Sequence, residues 1–267
     1  MNTVDEKNLT DYLAFAHHLA DLSAAKIMPF FRNLSSVENK SDSAKFDPVT
    51  NADKNAEQVI RNEIAARWPD HDVRGEELGA TSQGSEYCWL IDPIDGTRPF
   101  IMGMPAWGTL IALLKNGAPI LGLMNQPFTR ERFWSCENAA LYRGTEGERE
   151  ITTRACPRLG DAILSSNSPD LFATREDKER FDALSGQVRM RGFGGDCYAY
   201  CMLGAGHIDL VVESGLKAHD IAALIPIIER AGGCVTNWSG GSAAEGGAVV
   251  ACGDPALRQQ VFDILSG

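Results

Sequence analysis

Trp89-Leu90-Ile91-Asp92-Pro93-Ile94-Asp95-Gly96-Thr97 is the stretch from which the rest of the chain is read. An apolar run, the pattern of a buried strand, delivers two aspartates into a turn controlled by Pro93 and Gly96. The reading places Asp92 and Asp95 in one small volume, and two carboxylates that close repel unless one is protonated or a cation lies between them. Magnesium suits such a place, being a hard ion that takes oxygen ligands near octahedral geometry and keeps several waters. The backbone N–H groups of Gly96 and Thr97, if they open a helix, form a seat for a phosphate. Asp-Gly is also an ordinary turn signal, so the motif needs company before it means chemistry.

Three further segments supply that company. Gly75-Glu76-Glu77 adds an acidic pair that, alone, reads as a solvated loop. His219-Asp220 opens a helical pattern, where an aspartate commonly serves as the N-cap. Asp47-Pro48-Val49-Thr50-Asn51-Ala52-Asp53 precedes another helix, which Thr50 or Asn51 caps while Asp53 complements the dipole.

Around these segments the apolar periodicity predicts a long first helix over 9–32, whose end Pro29 kinks or shortens. A polar loop follows over 33–46, then a second helix from Ala52 to Trp68. Short apolar runs at Tyr87 to Ile91, Trp107 to Leu114, Pro119 to Met124, Arg132 to Cys136 and Ala140 to Tyr142 read as strands, with Asn116-Gly117 as a hairpin turn. Beyond Gly144 strands alternate with helices. Strands are expected at Ala162 to Ser165, Val188 to Arg191, Ile208 to Glu213, Cys234 to Asn237 and Gly247 to Ala251. Helices are expected near Thr174 to Leu184, Tyr198 to Leu203, His219 to Ala231 and Pro255 to Leu265. The order suggests an α+β half, residues 1–144, packed beside an α/β half, residues 145–267.

Composition narrows the function. The 267 residues are 44% hydrophobic and 23% charged, as in an ordinary folded protein with a large core. A formal net charge of -11 disfavours nonspecific binding to nucleic acid or anionic lipid. Seven cysteines without a CxxC pair make neither a disulfide framework nor a zinc site, and Cys197 and Cys201 read as small buried thiols. Met1 is followed by polar residues and no apolar run approaches a membrane span, so the expected compartment is the cytoplasm.

Taken together and in order, Asp47 to Glu57, Gly75 to Glu77, Trp89 to Thr97, and Asp220 with Ala231-Gly232-Gly233 resemble the inositol monophosphatase superfamily over nearly the whole chain. The resemblance implies an α/β (α+β) fold, a layered αβαβα sandwich, and a phosphatase that uses metal-activated water. It implies two or three magnesium ions held by Glu76, Asp92, Asp95, Asp220 and the carbonyl oxygen of Ile94. Glu76, with Asp47 and Thr97 as the water-activating dyad, would be catalytic. Lys40 and Lys45 lie on the polar loop, which in that family can move over the metals, although as individual residues they read as solvated surface. A homodimer is expected on the same likeness.

Within the superfamily, the finer likeness is to the histidinol-phosphate phosphatases. It rests on Asp95 to Leu113, Pro119 to Pro127 with Glu131 to Trp134, Gly194 to Tyr200, and Glu213 to Lys217 before His219-Asp220. The substrate-binding set so implied is Asp95, Gly96, Thr97, Gly194, Asp196, Glu213 and Asp220. Histidinol phosphate carries an ammonium and an imidazole beside its phosphate, and a carboxylate facing the ammonium forms a charge-assisted hydrogen bond. Glu213 would serve a polyol equally well. Asp196 is more suggestive, because inositol phosphatases have a small residue there, though it can also cap the helix over Cys197 to Leu203. His219 replaces a family tryptophan; it can pack, support Asp220 or stand as an occasional metal neighbour, and packing or support is expected, since magnesium prefers oxygen. The alternatives are an inositol monophosphatase or broad-specificity phosphatase, and a protein that keeps the fold but acts by binding a regulatory partner.

Overall fold

The computed structural model describes residues 6–33, 37–39 and 48–266, so Asp47, Lys40 and Lys45 lie outside the described residues. Helix α1 (Glu6–Ile27) ends just before Pro29, whose missing N–H cannot continue it. Strands β1 (Val37–Asn39) and β2 (Pro48–Thr50) pair antiparallel, and α2 (Asn51–Arg67) follows directly.

An eight-stranded sheet comes next, made of β3 (Asp72–Gly75), β4 (Gly79–Thr81), β5 (Tyr87–Asp95), β6 (Gly108–Lys115), β7 (Ala118–Gln126), β8 (Glu131–Ser135), β9 (Ala140–Gly144) and β10 (Gly147–Ile151). Its order is β10-β9-β8-β7-β6-β5-β3-β4, antiparallel except for the β3–β5 pair. The one-turn helix α3 (Thr97–Ile101) lies between β5 and β6. Asn116 and Gly117 both take positive φ, 51° and 78°, in the two-residue turn joining β6 to β7. The sheet runs on to Ile151, past the division expected after residue 144, because the Gly147 turn folds β10 back onto β9.

A five-stranded sheet, ordered β12-β11-β13-β15-β14, completes the chain. Its strands are β11 (Ile163–Ser166), β12 (Met190–Phe193), β13 (Leu210–Lys217), β14 (Cys234–Asn237) and β15 (Gly246–Cys252). Helices α4 (Arg175–Ser185), α5 (Asp196–Gly204), α6 (Ala218–Ile221), α7 (Leu224–Arg230) and α8 (Leu257–Leu265) connect and cover them.

The layers follow from strand alternation. On β5 and β6, Trp89, Ile91, Ile111 and Leu113 face α1 and α2, whereas Leu90, Leu110, Ala112 and Leu114 face α5 and α7. On β13 and β15, Val211, Val249 and Ala251 face that same middle layer, while Leu210, Val212, Val250 and Cys252 face α4 and α8. Both sheets are therefore buried on both faces, giving an αβαβα sandwich, and this is why the strands read as continuous apolar runs.

Several expectations change. The single helix over His219 to Ala231 is two, α6 and α7, because Pro226 has no N–H for the carbonyl of Ala222 and its ring crowds that oxygen. The break packs over Gly122, where an added Cβ would lie 1.8 Å from the Ala223 carbonyl oxygen. The strand expected at Val188 joins the sheet only at Met190 and runs to Phe193, an exposed edge without apolar alternation. The edge strands β4 and β10 left no periodic signal for the same reason, and β3, paired on both sides, is too short to show one. All seven cysteines are free thiols, and Cys197 and Cys201 are buried on α5 as expected. Among the described residues no helix is long and apolar enough to cross a membrane.

Candidate active site

In a regular strand, residues three apart point to opposite faces, so Asp92 and Asp95 should diverge. A bulge prevents this. Asp92 pairs with Leu110 and Asp95 with Gly108, partners two apart, so Pro93 and Ile94 together oppose the single residue Thr109. Both aspartates thereby return to one face. The bulge is held from below: Thr109, fully buried, donates its hydroxyl to the Pro93 carbonyl at 2.8 Å. Ile94 anchors its side chain in a small core with Ile27, Phe31, Phe100 and Trp107, and its N–H donates to Asp92 Oδ1 at 3.1 Å.

Gly96 closes the turn at φ 85°, and an added Cβ would meet the Ala106 carbonyl at 2.8 Å and Asp196 Cβ at 3.2 Å. Here only glycine fits. Thr97 donates its hydroxyl to the Ile94 carbonyl oxygen at 3.2 Å. The helix it opens is a single turn, so a macrodipole adds little and the anion seat reduces to individual N–H groups.

Asp220 arrives from the other sheet. The N-cap is Lys217 rather than Asp220: Asp220 is the third residue of α6, and its carboxylate reaches back to accept the Lys217 N–H at 2.7 Å. Its carboxylate also meets Asp92 and Asp95, with one oxygen from each lying within 4.8 Å of the others. Glu76, Asp92 and His219 form a second such group, sharing Asp92 with the first. Lys217 Nζ stands 3.7 Å from Glu76 Oε1, and His219 Nε2 stands 3.4 Å from Asp220 Oδ1. His219 thus faces the acids as well as supporting Asp220.

Glu76 is placed by a residue that closes the matched stretch from Asp47 but was given no role there. Glu57 on α2 is wholly buried, pairs with Arg61 at 2.7 Å, and accepts the N–H groups of Glu77 and Leu78 at 2.7 and 3.2 Å. A Cβ on Gly75 would fall 2.0 Å from Glu57 Oε1, so the acidic loop lies directly on this carboxylate. A signal existed: Asp53 and Glu57 continue the buried stripe of Ile60 and Ile64 at helical spacing. Charges on an apolar stripe are rarely surface decoration.

The carboxyl ends of β11, β12 and β13 form the other wall. Asp196 opens α5 at φ 41° after Gly194 and Gly195, at 86° and 113°. The expected cap is not its own. Asp95, from the first sheet, accepts the Cys197 N–H at 2.6 Å, while Asp196 Oδ1 accepts from Asn167 Nδ2 at 2.9 Å. Glu213, buried on β13, accepts the Asn167 N–H and the Tyr200 hydroxyl at 3.1 and 3.0 Å. Nothing in the sequence marked Asn167, and Tyr200 stood in the matched stretch from Gly194 without a role of its own.

The charges oppose one another. Burial, then Glu76, Asp95 and Asp220, pushes Asp92 well above the usual carboxylate range. Burial, then Asp196 and Asp220, does the same to Asp95, although the Cys197 N–H works against it. Asp220 is raised by burial against His219 and Lys217. Burial lifts Asp196 to about 6 and Glu213 to about 7. A cation among these groups would relieve the repulsion and restore the charged forms.

The sequence profile of the inositol monophosphatase family matches residues 8–264. The chain belongs to the inositol monophosphatase family. It is a phosphatase of that family by this match and by its relatives. The chloroplastic bifunctional phosphatase IMPL2 of Arabidopsis thaliana is 40% identical over 98% of this chain and 77% of its own length. The histidinol-phosphatase of Mycobacterium tuberculosis is 34% identical over 80% of this chain and 82% of its own. Among solved structures, an inositol monophosphatase from Zymomonas mobilis superposes with a TM-score of 0.85 at 39% identity, covering 97% of this chain and 98% of that one.

Proposed function

We propose that this family phosphatase hydrolyses L-histidinol phosphate to L-histidinol and phosphate, a step of histidine biosynthesis, with magnesium as cofactor. The observation that carries the substrate reading is the pair Asp196 and Glu213, two carboxylates set beside the acid cluster where an ammonium on the ester's alcohol would lie. The 34% identity to a histidinol-phosphatase supports it.

The donor set fits magnesium, since the carboxylates of Asp92, Asp95 and Asp220 converge and a second group sharing Asp92 stands beside them. Asp92, Asp95, Asp220, Glu76 and the Ile94 carbonyl would hold two or three ions. When bound, magnesium supplies Lewis acidity toward water and phosphoryl oxygens and neutralises charge on the leaving oxygen. The chain's own residues do the rest. Glu76 takes the proton of the attacking water, and Thr97, with Asp47 assigned by family likeness, orients that water in line with phosphorus. The N–H groups at Gly96 and Thr97 steady the phosphate. Asp95, fastened to α5 through Cys197, and Gly194 and Asp196 beside it link the metal side to the alcohol side. The P–O bond to the alcohol breaks, and that oxygen leaves after taking a proton from water.

A second reading, an inositol monophosphatase, is favoured by the likeness to the Zymomonas structure and by Glu213, whose carboxylate would also accept from polyol hydroxyls. With magnesium present, kcat/KM at least about tenfold higher for histidinol phosphate than for inositol 1-phosphate supports the first reading, and the reverse ranking removes it. A regulatory binding role without catalysis predicts no chelator-reversible turnover of either ester. We also infer a cytoplasmic protein whose chain divides into two subdomain halves and, on the family likeness, pairs as a homodimer. Sedimentation at micromolar protein tests the dimer.

A further inference from the structure

Asn167, just beyond the end of β11, has no part in the chemistry above, yet it touches both carboxylates of the alcohol side. Its side-chain amide makes a reciprocal pair with Asp196: Nδ2 donates to Asp196 Oδ1 at 2.9 Å, and Oδ1 accepts the Asp196 N–H at 3.0 Å. Its backbone N–H donates to Glu213 Oε1 at 3.1 Å. Tyr200, buried on α5, donates its hydroxyl to the other Glu213 oxygen at 3.0 Å.

Three consequences follow from elementary chemistry. Every bond reaching these two carboxyl groups is a donation, which favours the charged form. The amide pair also holds Asp196 at φ 41°, a conformation that non-glycine residues seldom adopt unaided. Finally, Asn167 joins β11 to both α5 and β13, and Tyr200 bonds α5 to β13, so two residues tie the carboxylates to each other. Glu213 and Asn167 line a cavity of about 240 Å³ together with Ser166, Phe172, Ser214 and Leu216, room for a group attached to the alcohol.

We propose that Asn167, seconded by Tyr200, is the positioning residue that makes this site selective for phosphate esters whose alcohol carries an ammonium group. The idea rests on the substrate reading above. A neutral polyol can rotate its hydroxyls to meet a displaced carboxylate, whereas an ammonium needs fixed, charged acceptors to repay its desolvation.

The test compares histidinol phosphate with the same ester lacking the amine, 3-(imidazol-4-yl)propyl phosphate, under saturating magnesium. The wild-type enzyme should prefer the amine-bearing ester by about 10- to 100-fold in kcat/KM, the scale of a charge-assisted bond. In Asn167→Ala, and in the isosteric Tyr200→Phe, that preference should shrink by about tenfold, through KM for the amine-bearing ester rather than through kcat. Tyr200→Phe keeps the core packing, so the test survives if the alanine variant folds poorly. A wild-type preference that both variants retain, or an equal loss on the two esters, overturns the role of Asn167 and leaves the substrate reading standing. A wild-type enzyme indifferent to the amine overturns the substrate reading and this inference with it.

Discussion

The turn after β5 and the wall formed by β11, α5 and β13 are both rich in carboxylates, yet they are built in opposite ways. At the turn, four adjoining residues, Asp92 to Asp95, carry the design, and a bulge brings both aspartates to one face. At the wall, Asn167 beyond β11, Asp196 and Tyr200 on α5, and Glu213 on β13 come from three parts of the chain and meet only through hydrogen bonds. The turn crowds like charges and calls for a cation, so its failure should appear in the chemical step. The wall surrounds its charges with donors, so its failure should appear in which ester is accepted.

The largest expected effect breaks the turn. Asp92→Asn should lower kcat by roughly 10³-fold or more, because losing even one group that stabilises transition-state charge costs about 10²–10³. The folded protein should survive, since removing one of several crowded charges relieves repulsion. A circular dichroism melt without magnesium should show no loss of Tm, and a chelator-sensitive activity left near wild-type level would defeat the assignment.

Next comes the support beneath Glu76. Glu57→Ala removes the charge partner of the largely buried Arg61, which keeps the Thr81 hydroxyl and the Gly79 carbonyl, and leaves two backbone donors unpartnered, at a cost of about 3 kcal/mol in urea unfolding. Glu57→Gln, which keeps an acceptor, should cost clearly less.

A third experiment works on the wall through pH. Glu213 has a folded-state pKa of about 7 against its ordinary 4.5, so on raising the pH the unfolded chain gives up this proton first. Its contribution to stability is then fully present below the unfolded value and is lost as the pH rises through the folded one. Glu213→Gln should therefore stabilise the protein by roughly 3 kcal/mol at about pH 8 and by almost nothing near pH 4. A difference independent of pH would show that the carboxyl does not titrate in this window. The smallest effect concerns the bulge itself. Thr109→Val removes the bond to the Pro93 carbonyl at little change in shape and should cost about 1–2 kcal/mol, with a modest loss of magnesium affinity by isothermal titration.

How much was legible varies with how local the cause is. The two-residue turn at Asn116-Gly117 and the end of α1 before Pro29 depend on near neighbours in sequence, and each could be read there. The stripe that places Glu57 inside was also present, written as acids at Asp53 and Glu57 in line with Ile60 and Ile64. By contrast, β4 and β10 are short, polar edge strands whose pairing is decided by what lies alongside, and the split between α6 and α7 depends on Pro226. Asp196 looked like the cap of its own helix, but that N–H goes to Asp95, 102 positions away.

By itself, the amino-acid order determined the kinds of chemistry present: hard oxygen donors in a glycine-closed turn, an acidic chain unsuited to polyanions, and enough apolar residues for a deep sandwich. Tertiary structure alone decided which of those donors share a space. A carboxylate's charge, reach and partners are set by atoms within a few ångströms, and here those atoms come from strands in two different sheets.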